Sequence, residues 1–368
     1  MNNDEKLQFI KDNYKYSRTF ELLPESRKEI ASEWLKHVLS VAPKRLYKYR
    51  VCNANNLNIL KERKAWFSNP RTWNDPIDVT VLYNLEKEVQ ELEENFDNLV
   101  VKFAFSFINK YIESFCKQKK FVTADKVKEV YYSSFVGDSK FNPDRMINYL
   151  EPIVGWKPAR QITVKTQEAF MQTSSPEFKE QVINSFKQFL GFNDLKDKVL
   201  MYSLSETYNN NHQWAIYADG GKGFCVGYLL KPKNITEESL FMNLTPIYYG
   251  EKKELSLSKL LNESLECLGR PEGITDLINQ EMENLYVSLN IKSPEWNGEQ
   301  EWRFSVVKDQ VSTNKIDFDF AEAIYLGETI ETEWKIKLIE IAKEQHLEVY
   351  QRKLDKLGAT WIYEKLVI

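Results

Sequence analysis

The sequence predicts an α+β fold, with a split, mostly antiparallel sheet core interrupted by a large helical insertion. Short runs rich in β-branched and aromatic residues lie toward both ends of the chain. From residue 77 to residue 136 there is neither glycine nor proline. Within that stretch, LEKEVQELEENFDNLVVKFAFSFINKYIESFCKQ repeats apolar residues at three- and four-residue steps, the period of a helix with one apolar face.

Taken in order, PESRKEIASEWLKHVLS places Ile30, Trp34, Leu35 and Val38 on one helical face and stops near Ala42 and Pro43. Residues 45–51 alternate as a strand, 55–64 read as a short helix and 65–68 as a second strand before the turn-rich NPRTWNDP, a β-α-β start. Helical periodicity then continues, with breaks, from about 84 to 195, and this insertion is expected to contribute no strand to the central sheet. Strand chemistry resumes at 199–205, 223–228, 246–249 and 302–307. AIYLG then leads into a last amphipathic helix, ETEWKIKLIEIAKEQH, and two final strands. The predicted organisation is an N-terminal helical segment at 1–44, an α+β core at 45–330 that holds the insertion, and a C-terminal helix and strands at 331–368 that pack on the core.

Hydrophobic residues make up 42% of the chain and charged residues 28%, which excludes a wholly disordered, collagen-like or membrane-embedded polypeptide. Lys and Arg number 50 against 54 Asp and Glu, a net charge of −4, so no global positive charge points to nucleic acid or an acidic membrane. Cys52, Cys116, Cys225 and Cys267 lie far apart without the spacing of metal ligands, and no metal is predicted. The polar N-terminus lacks a signal-peptide core, and no stretch stays apolar for about 20 residues. The expected location is cytoplasmic, with free thiols and no membrane partner.

Phosphate loops, dinucleotide glycine fingerprints, GxSxG elbows and HExxH are absent, and His37, His212 and His346 supply no nucleophile or metal constellation. Three polar clusters among aromatic residues stand out instead. RLYKYR, with Tyr49 and Arg50, precedes SNPRTWNDPID, whose Asn74 and Asp75 suit an Asx turn. YSLSETYNNNHQWAIYADGGKGFCVGY sets Ser203 and Ser205 at a strand end, then Trp214, Tyr217 and a glycine-rich turn holding Lys222. EQEWRF holds Glu299, Glu301 and Arg303. Singly, each reads as a turn, a hairpin or a solvated strand entrance. In an extended EQE, however, Glu299 and Glu301 share one face, and their repulsion raises one pKa.

In this order the motifs KYR, WFSNPRTWNDP, SLSETYNN with WAIYADGGKGFCVGY, PIYY, EQEWRF and AIYLG resemble the bacterial domain-of-unknown-function family 2971 over about residues 45–330. Ile216 and Gly221 stand where that family commonly has histidines. More distantly, the order is similar to that of ADP-ribosyltransferases, with a basic residue on a first strand, a Ser or Tyr strand, and a Glu-x-Glu strand entrance. That resemblance implies a split sheet, NAD as substrate, and an acceptor that is a protein or a nucleic acid. It implies catalytic roles for Glu301 and Glu299, and NAD contacts from Arg50, Tyr49, Ser203, Ser205, Trp214, Tyr217 and Lys222. Asn74, Asp75 and Arg303 are further candidates, and the insertion is a candidate surface for a partner protein. Toxins and phage-defence effectors are the contexts this resemblance implies. Two rival readings are a non-catalytic nucleotide- or protein-binding sensor of a defence system, and a metal-dependent nuclease using Asp75, Asp78, Glu299 and Glu301.

Overall fold

The computed structural model describes residues 1–22, 24–118, 123–136, 140–192, 195–267, 280–355, 357 and 359–368. The chain forms two compact units, one of Met1–Thr80, Leu195–Lys252 and Tyr286–Ile368, the other of Val81–Asp194 and Lys253–Leu285.

The first unit is built on one eight-stranded sheet. Its strands in chain order are β1 (Arg45–Arg50), β2 (Val199–Ser205), β3 (Phe224–Leu229), β4 (Leu244–Pro246), β5 (Glu301–Val307), β6 (Ala321–Leu326), β7 (Glu348–Asp355) and β8 (Thr360–Leu366). Across the sheet they run β4-β5-β2-β1-β3-β6-β7-β8. Every neighbouring pair is antiparallel except β6 and β7, which are joined through the helix Thr332–Gln345. Alternation along the strands divides the side chains between two buried faces. On one, Leu46, Leu200, Tyr202, Leu204, Phe224, Val226, Trp302, Phe304 and Ile324 pack with Phe9 of α1 (Asn3–Leu22), Trp34 and Val38 of α2 (Arg27–Val41), and Leu57 and Leu60 of α3 (Ala54–Lys61). On the other, Tyr47, Tyr49, Cys225, Ala323 and Tyr325 pack with Trp214 and Ala218.

The β-α-β start forms as β1, α3 and the short strand Lys64–Trp66, but that strand does not join the large sheet, because β1 already has β2 and β3 on its two edges. Lys64–Trp66 instead pairs with Lys315–Asp317 in a separate ribbon. The run at 246–249 also divides. Pro246, which has no N–H to give a further strand, closes β4 at the sheet's edge, while Tyr248–Tyr249 pairs in parallel with Ile291–Lys292.

The second unit is helical, with Leu85–Glu94, Phe96–Gln118, Ala124–Ser133, Pro143–Val154, Trp156–Thr173 and Pro176–Phe192 from the predicted insertion. Asn142 caps Pro143–Val154, and Gly155, at φ 85, provides the left-handed turn into the next helix. Val101, Phe105, Ile108, Ile112, Tyr131, Met146, Leu150 and Ile162 form its main core. Phe135–Val136 and Lys140–Phe141 make a small ribbon of their own, and no strand of this unit joins the eight-stranded sheet among the described residues. The sequence reading did not foresee that residues 253–285 also belong here, with Leu255, Leu257 and Leu265 packing on Leu92, Leu99 and Ile183. Among the described residues no helix is long and apolar enough to cross a membrane.

Phe304 has no exposed surface and meets the rings of Phe241 and Phe318 edge-on, with centroids 5.3 Å away in each case. Phe304→Ala is expected to cost about 3–5 kcal/mol in the sheet unit, measured by denaturant unfolding followed in the near ultraviolet.

Candidate functional site

The sheet nearly parts between β1 and β2. These strands share one register pair, Tyr47 with Ser205, whereas β1 pairs with β3 along its whole length. The result is a cleft of about 500 Å³. Successive residues of both strands line it, 47–51 from one side and 203–205 from the other. Because neighbouring side chains on a strand point to opposite faces, only two diverging strand edges can present consecutive residues to one space. Lys48 takes part of the place of the missing ladder by donating from Nζ to the Ser203 carbonyl at 2.7 Å.

The cleft's cationic side is β1. Arg50 lies over the Tyr202 ring, 5.6 Å from its centroid, and among the described residues no carboxylate pairs with its guanidinium. Its position depends on a close backbone approach, since a Cβ at Gly223 would stand 2.2 Å from the Arg50 carbonyl. Burial and the neighbouring Arg50 push the Lys48 ammonium down to about 7, against the opposing pull of Glu301 and Glu299.

Opposite lies a buried charge cluster. Arg303, wholly buried, grips Asp78 through Nη1 and Nη2 at 2.9 and 2.6 Å and Glu301 through Nε and Nη2 at 2.8 and 2.9 Å. The Trp73 ring, which lines the cleft, covers that guanidinium at 4.6 Å. Lys292 reaches Glu299 at 2.6 Å, Glu301 at 3.4 Å and Asp78 at 3.7 Å. Tyr217 OH donates to Glu299 Oε1 at 2.7 Å, and burial together with that carboxylate raises its pKa. Burial alone raises the Glu301 carboxyl, but Arg303, Lys292 and the Ser203 hydroxyl outweigh it and hold the group well below the usual carboxylate range. For Lys292, burial opposes the charge, yet Glu301, Glu299 and Asp78 raise its pKa despite Arg303. Three carboxylates against two cations leave this cluster net negative.

The paired-carboxylate expectation is therefore corrected. EQE is not extended: Glu299 ends a 3₁₀ turn, and Gln300 adopts φ 47. The two carboxylates converge because both bind Lys292, and the Glu301 pKa moves down rather than up. The cleft brings together Tyr49, Arg50, Asn74, Ser203, Ser205, Tyr217, Glu299 and Glu301. Trp214 is placed elsewhere, inside the tyrosine-rich core, where Nε1 donates to the Tyr208 carbonyl at 2.8 Å. Lys222 and Asp75 are not among the lining residues. Lys222 offers its carbonyl to Cys52, and Asp75 forms the expected Asx turn by accepting from the Ile77 N–H at 2.9 Å. Arg303 lies beneath the cleft rather than in it. Lys48, Trp73, Gln213 and Lys292 escaped sequence reasoning as members of this site, and Asp78 entered it only in the nuclease reading. Lys48, Trp73 and Gln213 each carried a signal, lying inside the singled-out RLYKYR, SNPRTWNDPID and YSLSETYNNNHQWAIYADGGKGFCVGY, whereas Lys292 carried none.

The segment holding Gln213, the glycine turn, Lys292 and the Glu299–Arg303 run can be compared with known families. Residues 213–304 match the family described as Protein of unknown function (DUF2971). The family resemblance read from the sequence holds over that segment. No curated protein and no solved structure matches the chain. The DUF2971 match contains the carboxylate wall, whereas Arg50, Asp78, Ser203 and Ser205 lie before it.

Three outcomes follow from these charges. Arg303→Met leaves Asp78 and Glu301 buried with only Lys292 to compensate them, and is expected to cost about 3–5 kcal/mol in thermal or denaturant unfolding. In the wild type, the stability contributed by Glu301 is full above its unfolded pKa of about 4.3 and is lost as pH falls through the depressed folded value. Lys48 is charged below about 7 and neutral above it. Sulfate affinity, measured by calorimetry, should therefore fall about fivefold between roughly pH 6 and 8, the effect of about 1 kcal/mol for one charge near 4 Å in a water-like medium. Lys48→Met should flatten that dependence.

Proposed function

We propose that the cleft between β1 and β2 binds NAD and that the protein cleaves its nicotinamide–ribose bond, passing ADP-ribose to an acceptor or to water. The observation that carries this reading is the juxtaposition made by the strand order. β5, β2 and β1 are neighbours, so Glu301, Ser203 with Ser205, and Arg50 meet around one cleft although they are far apart in the chain. These are the three positions that the transferase resemblance assigns.

The chemistry fits the charges. Arg50 and Lys48 suit the diphosphate. As the C1′–N bond breaks, nicotinamide leaves with the bonding electron pair and the ribose carbon becomes cationic. Glu301, kept ionised by Arg303 and Lys292, is a weak base and a strong electrostatic partner for that cation. The acceptor's O–H or N–H then forms the new bond at C1′ and surrenders its proton, a role for Glu299 at the mouth of the Tyr217 hydrogen bond. Tyr217 and Trp73 supply the aromatic surface that Trp214 does not. A cytoplasmic site of action and a protein or nucleic-acid acceptor belong to the same proposal.

A second reading, nucleotide binding without turnover, is favoured by one observation: Glu301 has both oxygens engaged by Arg303 and one shared with Lys292. The nuclease reading has less support, because Asp75 sits in its own turn and Asp78 is neutralised by Arg303.

Purified protein incubated with NAD and candidate acceptors should release nicotinamide, and Glu301→Gln should lower that rate by about 10²-fold or more while NAD still binds. Circular dichroism of the variant separates this from loss of the fold. NAD binding with no nicotinamide release under any acceptor selects the second reading, and a variant as fast as wild type removes Glu301 from catalysis.

A further inference from the structure

Gln213 is 5% exposed and is among the residues lining the cleft, and its Oε1, itself without accessible surface, has no hydrogen-bond partner among the described residues. Its amide cannot be turned to relieve this. Nε2 donates to the Glu299 carbonyl at 3.1 Å, and a carbonyl can only accept, so the oxygen must face away from it. The backbone is fixed as well, since the Asn210 side chain caps the helix Asn211–Tyr217 by accepting from the Gln213 N–H at 3.2 Å. Buried acceptors are nearly always satisfied, and this one, recessed beside the cleft, is left for a donor that the cleft admits.

The neighbours narrow the chemistry of that entrant. Around Gln213 stand the Glu299 carboxylate, already an acceptor for Tyr217 and Lys292, and the hydroxyl of Tyr217, already donated. This end of the cleft therefore offers acceptors and repels phosphate, while Arg50 and Lys48 on β1 receive it. We propose that Gln213 is a specificity residue that reads the uncharged, donor-bearing end of the ligand. Oε1 accepts from an N–H or O–H while the anionic part lies against β1. Resting on the NAD reading above, this assigns Gln213 to the nicotinamide riboside half, whose donors are the carboxamide N–H₂ and the ribose hydroxyls.

The test is calorimetric binding of NAD, ADP-ribose and 3-acetylpyridine adenine dinucleotide, which lacks the carboxamide N–H₂, to wild type and to Gln213→Leu. Gln213→Leu should weaken NAD about tenfold, the usual scale for one buried hydrogen bond. If the carboxamide is the donor, wild type binds the acetylpyridine analogue about tenfold more weakly than NAD, and Gln213→Leu adds no further loss for it. If a ribose hydroxyl is the donor, the variant loses affinity equally for all three ligands. The analogue arm uses unaltered protein, so an unstable variant does not block it. Gln213→Leu folded and binding all three ligands as tightly as wild type overturns the assignment; should that variant not fold, Gln213→Met, of nearly the same volume, is read against the same outcomes. The two proposals fail separately. A tenfold loss in the variant without nicotinamide release from wild type removes the catalytic reading alone, and nicotinamide release with unchanged affinity in the variant removes the Gln213 assignment alone. Wild type that binds none of the three overturns both.

Discussion

A guanidinium with no exposed surface is the constraint around which this site is organised. Arg303 cannot shed its charge, so burying it requires carboxylates with matching geometry on both sides of its planar fork. Asp78 and Glu301 meet that demand. Their excess negative charge in turn requires Lys292, and Lys292 draws in Glu299. The turn after Trp73, the entrance of β5 and the 3₁₀ turn before it are thereby tied together. A network of this kind has a large desolvation cost and is not evidence of high stability. What it does accomplish is to hold the Glu301 carboxylate ionised, with Glu299 fixed beside it, at the edge of the cleft.

The parts legible in the sequence are those encoded locally. VLMYSLS and EWRFSVV read as strands because their own composition and length demand it, and the helices from 85 to 192 read as helices because of period and the lack of breakers. Arg50, Ser203 and Glu301 could be put in one site because they recur in a known order. Lys292 could not, and Asp78 entered only as a metal ligand of the nuclease reading, since their part in the cluster around Arg303 depends on a register in which Arg303 faces Ser203 across β5 and β2. No short-range pattern encodes that register. The left-handed Gln300 was equally hidden, because glutamine carries no preference for it. Trp214 misled for a related reason. An indole beside a polar cluster suits a ligand platform and a core equally, and the direction of its short helix decides between them.

The opening between β1 and β2 also explains why an ordinary-looking sheet has a cleft at its centre. Elsewhere in the sheet, ladder hydrogen bonds occupy the strand edges. Here a lysine side chain replaces part of the ladder, and the remaining edge is free to meet a solute.

The position of β1 has a consequence for how the protein comes into being. It is the first strand of the sheet to be made and lies at the sheet's middle, yet Lys48 and its partner Ser203 are 155 residues apart in the chain. Contacts of that span close slowly, and the strand that carries Glu301 arrives later still. On the ribosome both edges of β1 stay empty while the helical segment emerges. The carboxylate side of the cleft can thus join β1 and β2 only after residue 301 has been made, so a nascent or prematurely ended chain that stops before Glu301 lacks that side altogether.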